Sequence, residues 1–256
     1  MRVLFVLGSV TLAGPLAGQE ADFNWHGRIA QGDAIEIRGV IGTIRAVRAS
    51  GDEVEVTAVK RWRRSDPDEV EIEVIPHDGG VTICAVYPTP WDSRRDNGCR
   101  PGGGHNNTRD NDVSVNWTIH VPAGVTFHGV TVNGDVYVEE IESDTYARTV
   151  NGDIEVSTTG VAEASTVNGG IRARMGRADW QGSIDFSTVN GSITVEVPDG
   201  FHAEVDARTV NGDFETDFPI TVRGRFNRRR FSGVIGDGGR QLRLETVNGS
   251  VRILKR

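Results

Sequence analysis

The tetrapeptide Thr-Val-Asn-Gly occurs six times in this chain, and no other feature of the sequence restricts the fold so strongly. The copies begin at Thr131, Thr149, Thr166, Thr188, Thr209 and Thr246, so that successive copies are 18, 17, 22, 21 and 37 residues apart. Self-similarity at a period near 20 residues is typical of solenoids and related repeat folds.

The segments around these copies alternate apolar and polar residues with period two. Examples are AIEIRGV at 34–40, DVSVNWTIHV at 112–121 and SITVEV at 192–197. Such runs, bounded by Gly, Asn, Asp or Pro, indicate β-strands. No segment keeps a helical period over ten residues, so the sequence predicts an all-β protein.

Two arrangements of the repeat are open. Asn-Gly is a strong hairpin signal, which would give an antiparallel meander with a tight turn at every copy. The alternative, which we favour, is a β-solenoid of stacked coils of about 17–22 residues, because only a parallel stack places identical residues on top of each other. We then expect the asparagines to form a hydrogen-bonded ladder, the valines to fill the layers between coils, and the glycines to turn the corner. The structural repeat residues are Asn133, Gly134, Asn151, Gly152, Asn168, Gly169, Asn190, Gly191, Asn211, Gly212, Asn248 and Gly249.

The long last interval and the first half of the chain need separate treatment. The 37-residue step is expected to contain two coils, one of them without the motif. IRGVIGTIRA at 37–46 aligns with ARTVNGDIEV and carries Ile41 where the asparagine would be. If this is a degenerate copy, a less regular β region at 19–122 continues into the repeat region at 123–256.

The beginning of the chain and its two cysteines point to export. Residues 1–18 have a positive start and an apolar core, which predicts a signal peptide cleaved near Gly18, although an ordinary buried strand or helix is the alternative. No later apolar run approaches the ~20 residues that span a membrane. Cys84 and Cys99 bracket part of a polar loop, Pro88–Asp112, and predict a disulfide; free thiols or a metal site are the alternatives. The loop is expected to be flexible or held only by that disulfide.

The chain also resembles a known family. The repeated TVNGDI, the opening GRIAQGDAIEIRGVIGTIRA at 27–46 and the ending FSGVIGDGGRQLRLETVNGSVRILK at 231–255 are similar to the bacterial DUF4097 family of adhesin-like proteins. The resemblance spans nearly the whole mature chain. It implies an exported β-solenoid and supplies no catalytic residues.

Charge and composition limit the partners. The formal net charge of −8 argues against nucleic acid as a partner, because phosphate binding requires a positive field. Two basic clusters interrupt the acidic balance: Lys60–Arg64, and a second one with Arg223, Arg225, Arg228, Arg229 and Arg230. Arginines with interleaved aromatic residues can bind phosphate, sulfate or uronate groups, whereas the simpler interpretation is a solvated strand face.

Two further candidates are weaker. The residues after each Asn-Gly (Asp135, Asp153, Gly170, Ser192, Asp213 and Ser250) form either a cation- or sugar-binding row or a set of ordinary turn residues, and we favour the second. Trp180 is either a sugar platform or a core residue, and the core is favoured.

The sequence contains no recognised nucleophile, metal-ligand or phosphate-loop motif, and no cofactor is predicted. It predicts a non-enzymatic exported protein that presents a regular surface to a cell-envelope component, a glycan or a protein. The alternatives are a scaffold that self-associates end to end, and a polysaccharide-active β-helix enzyme.

Overall fold

A computed structural model describes residues 22–222 and 230–256, and this part of the chain is β-structure apart from loops and one 3₁₀ turn, Pro67–Glu69. The predicted signal peptide lies outside the described residues. No helix in the two described ranges is long and apolar enough to cross a membrane. The strands up to the first full repeat are β1 (Phe23–Gly27), β2 (Ala34–Arg38), β3 (Ile44–Arg48), β4 (Val54–Arg61), β5 (Glu71–His77), β6 (Gly80–Val86), β7 (Gly98–Arg100), β8 (Gly103–His105), β9 (Ser114–Val121) and β10 (Thr126–Val130). They are followed by β11 (Val136–Ile141), β12 (Thr145–Arg148), β13 (Ile154–Thr158), β14 (Ala162–Ser165), β15 (Ile171–Met175), β16 (Ser183–Ser187), β17 (Ile193–Val197), β18 (Ala203–Arg208), β19 (Phe214–Thr216), β20 (Ile220–Val222), β21 (Arg230–Ile235), β22 (Gln241–Glu245) and β23 (Val251–Lys255).

These strands form two large sheets that face each other across the core. The first sheet has the order β1-β4-β9-β3-β11-β13-β15-β17-β23-β19. The second has the order β20-β21-β18-β22-β16-β14-β12-β10-β2-β6-β5, and β7 and β8 form a separate hairpin. From β10 to β17 the chain alternates between the two sheets, and each strand pairs in parallel with the equivalent strand of the next coil. The parallel, coil-on-coil prediction is therefore confirmed, with two strands in each coil.

The degenerate copy in the first half of the chain is part of the same stack. Ile41 forms a parallel bridge with Asn133, at the position that an asparagine occupies in the other coils. Strands β2 and β3 pair in parallel with β10 and β11. The two sheets therefore contain strands from both sides of residue 122.

The last copy of the motif does not lie at the end of the stack. Asn248 bridges both Asn190 and Asn211, and β23 lies between β17 and β19. The chain first builds the final coil with β18 and β19, adds β20 and β21 antiparallel beyond it, and then returns to insert β22 and β23 one layer back. The prediction that the 37-residue step contains an extra coil without the motif is wrong, because those residues build the end of the stack.

The asparagines form the expected ladder along one edge of the stack. The side-chain amide of Asn151 donates to Oδ1 of Asn133 at 2.7 Å, and the same bond joins Asn168 to Asn151, also at 2.7 Å. The ladder continues through Asn190, Asn248 and Asn211, with N–O distances of 2.7–2.8 Å. Each exposed side-chain amide is thus hydrogen-bonded to an asparagine one coil away.

The glycines are required because neighbouring coils approach closely. A Cβ on Gly169 would lie 1.9 Å from the carbonyl oxygen of Gly152, and a Cβ on Gly191 would lie 2.0 Å from that of Gly169. The same carbonyl oxygens accept the threonine hydroxyl of the adjacent copy, since Thr166 Oγ1 donates to Gly152 O at 3.0 Å. Every threonine of the motif is buried, with at most 6% of its surface exposed.

The valines of the motif do not fill the layers, and this expectation is wrong. Val150, Val167 and Val189 are 38–39% exposed, because the corner turns their side chains outward while the threonines point inward. The interior layer is built instead by the first residue of each strand after the corner. Ile154 pairs in register with Ile171, which pairs with Ile193, and all three are buried.

The coil on the outer side of the degenerate copy in the stack carries a large insertion. Strand β6 lies beside β2 and strand β9 lies beside β3, so these two strands form a coil next to that of β2 and β3. The corner of that coil is the segment between Tyr87 and Val113, whereas the corner between β2 and β3 needs only residues 39–43. The Pro88–Asp112 loop therefore projects from the same edge of the stack as the asparagine ladder.

Candidate functional site

The Pro88–Asp112 loop is held to the stack by many polar contacts, in contrast to the expectation that only a disulfide restrains it. The Cys84–Cys99 disulfide is present and joins β6 to β7. Inside the loop, the Asn97 side chain donates to the carbonyls of Tyr87 and Asn107, at 2.9 and 2.7 Å. These contacts give a polar segment a defined shape without a core of its own.

Two buried groups of the stack complete this anchoring. The hydroxyl of Tyr87 donates to Val113 O at 2.7 Å, and burial raises the pKa of Tyr87 to about 12. Glu36 accepts hydrogen bonds from the backbone N–H of Gly102 at 2.8 Å and from Thr82 Oγ1 at 2.9 Å. Burial alone would raise the pKa of Glu36, but its hydrogen bonds with Gly102, Arg38 and Thr82 lower it below the ordinary value.

The first basic cluster lines a cleft at the base of this loop. Asp112 accepts backbone N–H bonds from Arg64 at 3.2 Å and from Ser65 at 3.0 Å. Hydrogen bonds from the backbone of Ser65, Arg64 and Arg63 lower the pKa of Asp112 against a smaller effect of burial. The Asp112 carboxylate thereby folds the Arg63–Ser65 segment against the end of the loop.

We call the resulting depression the Trp62 cleft. Its lining includes Arg61, Trp62, Arg63, Arg64, Asp110 and Asp112. Half of the Trp62 surface is exposed. No ion pair joins Arg63 or Arg64 to a carboxylate of residues 22–222 or 230–256. The cleft thus offers an exposed indole ring and two guanidinium groups that have no carboxylate partner among the described residues.

A second depression lies within the loop itself, and we call it the Arg94 cleft. Its lining includes Ser93, Arg94, Arg95, Asp96, Arg100 and His105. Arg94 and Arg95 precede β7, and Arg100 and His105 lie on the β7–β8 hairpin that the disulfide attaches to β6. Arg94 and Arg95 are adjacent in the chain, but only the fold brings Arg100 and His105 beside them, so the cleft was not predicted from the sequence.

Most of the second basic cluster lies outside the described residues, namely Arg223, Arg225, Arg228 and Arg229. Arg230 is described at the start of β21, where its guanidinium lies 3.9 Å from Asp206. Its role in anion binding stays a prediction.

The polar row after the Asn-Gly pairs is used within the fold. Oδ1 of Asp135 accepts the backbone N–H of Asp153 at 2.8 Å, and Oδ1 of Asp153 accepts that of Gly170 at 2.7 Å. These carboxylates therefore accept backbone N–H groups of the next coil, which agrees with the interpretation as turn residues. Among residues 22–222 and 230–256 no group of three or more His, Cys, Asp or Glu side chains could hold a metal ion.

A row of titratable groups lies on the outer face of the second sheet. His128 and Tyr146 are in register, and their ring centroids are 4.7 Å apart. Burial lowers the pKa of His128, whereas burial and nearby Asp185 raise the pKa of Glu163, which is in register with Tyr146. These three side chains lie on a sheet face and line neither of the two clefts described above.

Trp180 belongs to the core, as favoured. Only 6% of its surface is exposed, and its indole N–H donates to Gln241 O at 3.2 Å. Its ring lies 5.7 Å from that of Phe201. Trp180 is therefore not available as a sugar platform.

With this geometry, comparison with known proteins places the chain in a family. The family model Toastrack DUF4097 matches residues 108–254, which is more than half of the chain. The chain therefore belongs to the Toastrack DUF4097 family, as the resemblance indicated. The match begins within the Pro88–Asp112 loop, so most of the loop precedes the matched range.

The solved structures that are similar to this chain have low sequence identity. A "putative cell adhesion protein" from Clostridium sporogenes ATCC 15579 is 10% identical, with 91% of this chain and 99% of that chain covered and a TM-score of 0.51. A "putative adhesin" from Bacteroides fragilis NCTC 9343 is 11% identical, with 93% and 98% covered and a TM-score of 0.28. The first likeness supports the fold, and the second carries no argument at that score. No curated protein matches the chain.

Proposed function

We propose that this chain is an exported, non-enzymatic, adhesin-like protein that binds a cell-envelope component, a glycan or a protein. The N-terminal apolar segment and the Cys84–Cys99 disulfide support export, because disulfides persist in oxidising compartments. The names of the similar structures are compatible with a binding role. The stacked coils supply a rigid body on which a contact surface can be mounted.

The observation that carries the proposal is the exposed Trp62 in an arginine-lined cleft. Large aromatic side chains are normally used in the core, as Trp117 and Trp180 are here, whereas Trp62 is 50% and Trp91 89% exposed. Exposed Trp beside Arg is typical of binding surfaces, because the indole ring contributes apolar contact and the guanidinium contributes directed hydrogen bonds. The face that bears the Pro88–Asp112 loop is therefore the proposed contact surface.

A pull-down from cell-envelope material tests this function. We expect the wild type to capture a component that the Arg63→Ala/Arg64→Ala variant captures at least about tenfold less, as expected when a binding hot spot is lost. The matched control is Arg172→Ala/Arg174→Ala, which removes the same charge from two exposed arginines on β15. Equal capture by all three proteins would contradict the proposal.

The second basic cluster needs its own variant. Charge reversal at Arg228–Arg230 is expected to weaken capture if that cluster also contacts the partner. Because its effect is measured separately from that of Arg63 and Arg64, the experiment distinguishes a partner bound at the loop from one bound at the second cluster.

End-to-end assembly is less favoured by the form of the stack. At one end the edge strand β19 has only three residues. Short edge strands offer few unpaired backbone groups to another chain, which is one way that sheets avoid edge-to-edge association. Sedimentation at increasing protein concentration tests this, and growth of filaments would favour the scaffold alternative.

A further inference from the structure

The two clefts of the long loop are neighbours, although their linings come from distant parts of the sequence. Asp110 lines the Trp62 cleft and Ser93 lines the Arg94 cleft. The residues next to them, Arg109 and Asp92, form an ion pair with a distance of 2.8 Å between Nη1 and Oδ2. Asp110 and Ser93 are each one residue from a partner of this ion pair. The two side chains of the pair and the two peptide units therefore place the Cα atoms of Asp110 and Ser93, on the rims of the two clefts, within roughly 20 Å of each other.

An exposed tryptophan is the chain neighbour of Asp92 in this ion pair. Trp91 immediately precedes Asp92 and is 89% exposed, the highest exposure among the large hydrophobic side chains of the described residues. Trp62 lines the first cleft. The surface therefore has one indole ring in a cleft and a second beside the ion pair that joins the two clefts.

The charges of this surface favour an anionic ligand. Arg63, Arg64, Arg94, Arg95 and Arg100 form no ion pair within the part of the chain that the structure describes. Two of the nearby carboxylates are already engaged, Asp112 by backbone N–H groups and Asp92 by Arg109. Asp96 and Asp110 also line the clefts, so that within the described residues five arginines face three carboxylates outside any ion pair, Asp96, Asp110 and Asp112.

We propose that the two clefts form one continuous site for a linear anionic polysaccharide, with uronate or sulfate groups on its sugars. This rests on the proposed binding function and names its ligand class. Guanidinium groups match the planar carboxylate and sulfate groups, and indole rings stack on the apolar face of a sugar ring. A polymer, unlike a single sugar, fills both clefts at once.

The net charge of the protein favours a polysaccharide over nucleic acid. A protein with a formal charge of −8 repels every polyanion through its overall field, so the ligand must also gain affinity from contacts that do not depend on charge. A polysaccharide that carries one charge per sugar or fewer, and that presents a flat ring at each unit, matches arginines and tryptophans arranged in two separate groups.

Binding to oligogalacturonates of increasing length tests the continuous site. Occupying a second cleft on the same chain is an intramolecular event and can raise affinity by about 10²–10⁴-fold. In isothermal titration calorimetry we expect a decamer to bind at least about 100-fold more tightly than a dimer, beyond the gain from its larger number of sugar units. Neutral cello-oligosaccharides of the same length should bind at least about tenfold more weakly than the charged decamer, because the guanidinium groups lose their ionic partners.

Variants of each cleft separate this inference from the proposed function. Arg63→Ala/Arg64→Ala and Arg94→Ala/Arg95→Ala should each abolish the gain with length, whereas the charge-matched Arg172→Ala/Arg174→Ala should keep it. Circular dichroism and an intact disulfide show that each variant is folded.

Three results would overturn the inference. Equal affinity for dimer and decamer would mean that the clefts act separately, even if Arg63→Ala/Arg64→Ala still abolishes envelope capture and the proposed function stands. A length gain that survives in both cleft variants would place the site elsewhere. Tighter binding of a single-stranded oligodeoxynucleotide than of the decamer, at the same salt, would assign the surface to nucleic acid.

Discussion

The corners of two kinds of coil can be compared directly, because they occupy the same place in the stack. In the regular coils the corner is the Thr-Val-Asn-Gly motif, and its residues contact the same residues one coil away. In the coil of β6 and β9 the corner is the Pro88–Asp112 loop, which contacts itself and Glu36 on the neighbouring strand β2. The first corner is constrained by repetition, and the second is free to vary.

This difference separates stability from recognition. A residue in a repeated corner must fit the copy above and the copy below, so that threonine, asparagine and glycine recur. The loop follows Tyr87, whose hydroxyl contacts Ile41 O of the degenerate copy, and Ile41 in turn bridges Asn133, the first asparagine of the ladder. The two clefts accordingly lie in and beside the loop, while the repeated corners supply the rigid edge from which the loop projects.

The largest expected effect concerns the bond that attaches the loop to the stack. Replacing both Cys84 and Cys99 by Ser removes a link across 15 residues, which contributes about 3 kcal/mol in the chain-entropy model. Urea unfolding of the wild type with and without reductant should show this loss, and the double variant should not respond to reductant. Identical stability of the oxidised wild type and the variant would show that polar contacts alone hold the loop.

A methyl group in a repeated corner should have the next largest effect. Gly169→Ala places a Cβ 1.9 Å from Gly152 O, and the resulting displacement of two coils should lower the free energy of unfolding by about 2 kcal/mol. Gly51→Ala is the control, because a Cβ there meets nothing within 4 Å. If both variants unfold at the same urea concentration, close approach is not the reason for the repeated glycine.

The contrast between inward threonine and outward valine can be tested within one copy. Thr166→Val removes the hydroxyl that donates to Gly152 O and leaves a half-buried carbonyl with one partner fewer, which should cost about 1.5 kcal/mol. The neighbouring change Val167→Thr is at an exposed position and should stay within about 0.5 kcal/mol of the wild type. If urea unfolding showed a larger loss of stability for Val167→Thr than for Thr166→Val, the threonine would not be the inward-facing residue of the corner.

The smallest expected effect is a dependence on pH at the loop. The pKa of Glu36 is lower in the folded protein than its ordinary value, so its carboxylate stabilises the fold at neutral pH. That contribution is present above about pH 4.3, the ordinary range for Glu, and is lost as the pH falls through the folded pKa. The stability difference between wild type and Glu36→Gln should therefore shrink from pH 7 to pH 3.

Amide hydrogen exchange at Gly102 provides the local measurement, because its N–H donates to Glu36. Faster exchange in Glu36→Gln at pH 7 is expected. If the two proteins lose stability in parallel with acid, other carboxylates control the acid unfolding.

The candidate site was predictable only in part. The Lys60–Arg64 cluster, with its interleaved tryptophan, is visible in the sequence as an unusual basic segment. Its partner is Asp112, 48 residues after Arg64, and no local pattern links the two. The Arg94 cleft was missed for a similar reason, since the β7–β8 hairpin and the disulfide bring Arg100 and His105 to the adjacent pair Arg94 and Arg95.

For the fold, the sequence alone determined the all-β class, the parallel stacking of like on like and the asparagine ladder, because a repeated tetrapeptide gains most when each copy contacts another copy. Only the tertiary structure decided which residues of the motif are buried, since the direction of a side chain at a corner depends on backbone geometry. It also decided the order of the last two copies. The last two copies of the motif are identical and would make equivalent contacts if their positions in the stack were exchanged. The motif itself therefore does not decide that Asn248 lies between Asn190 and Asn211; the path of the chain between the two copies does.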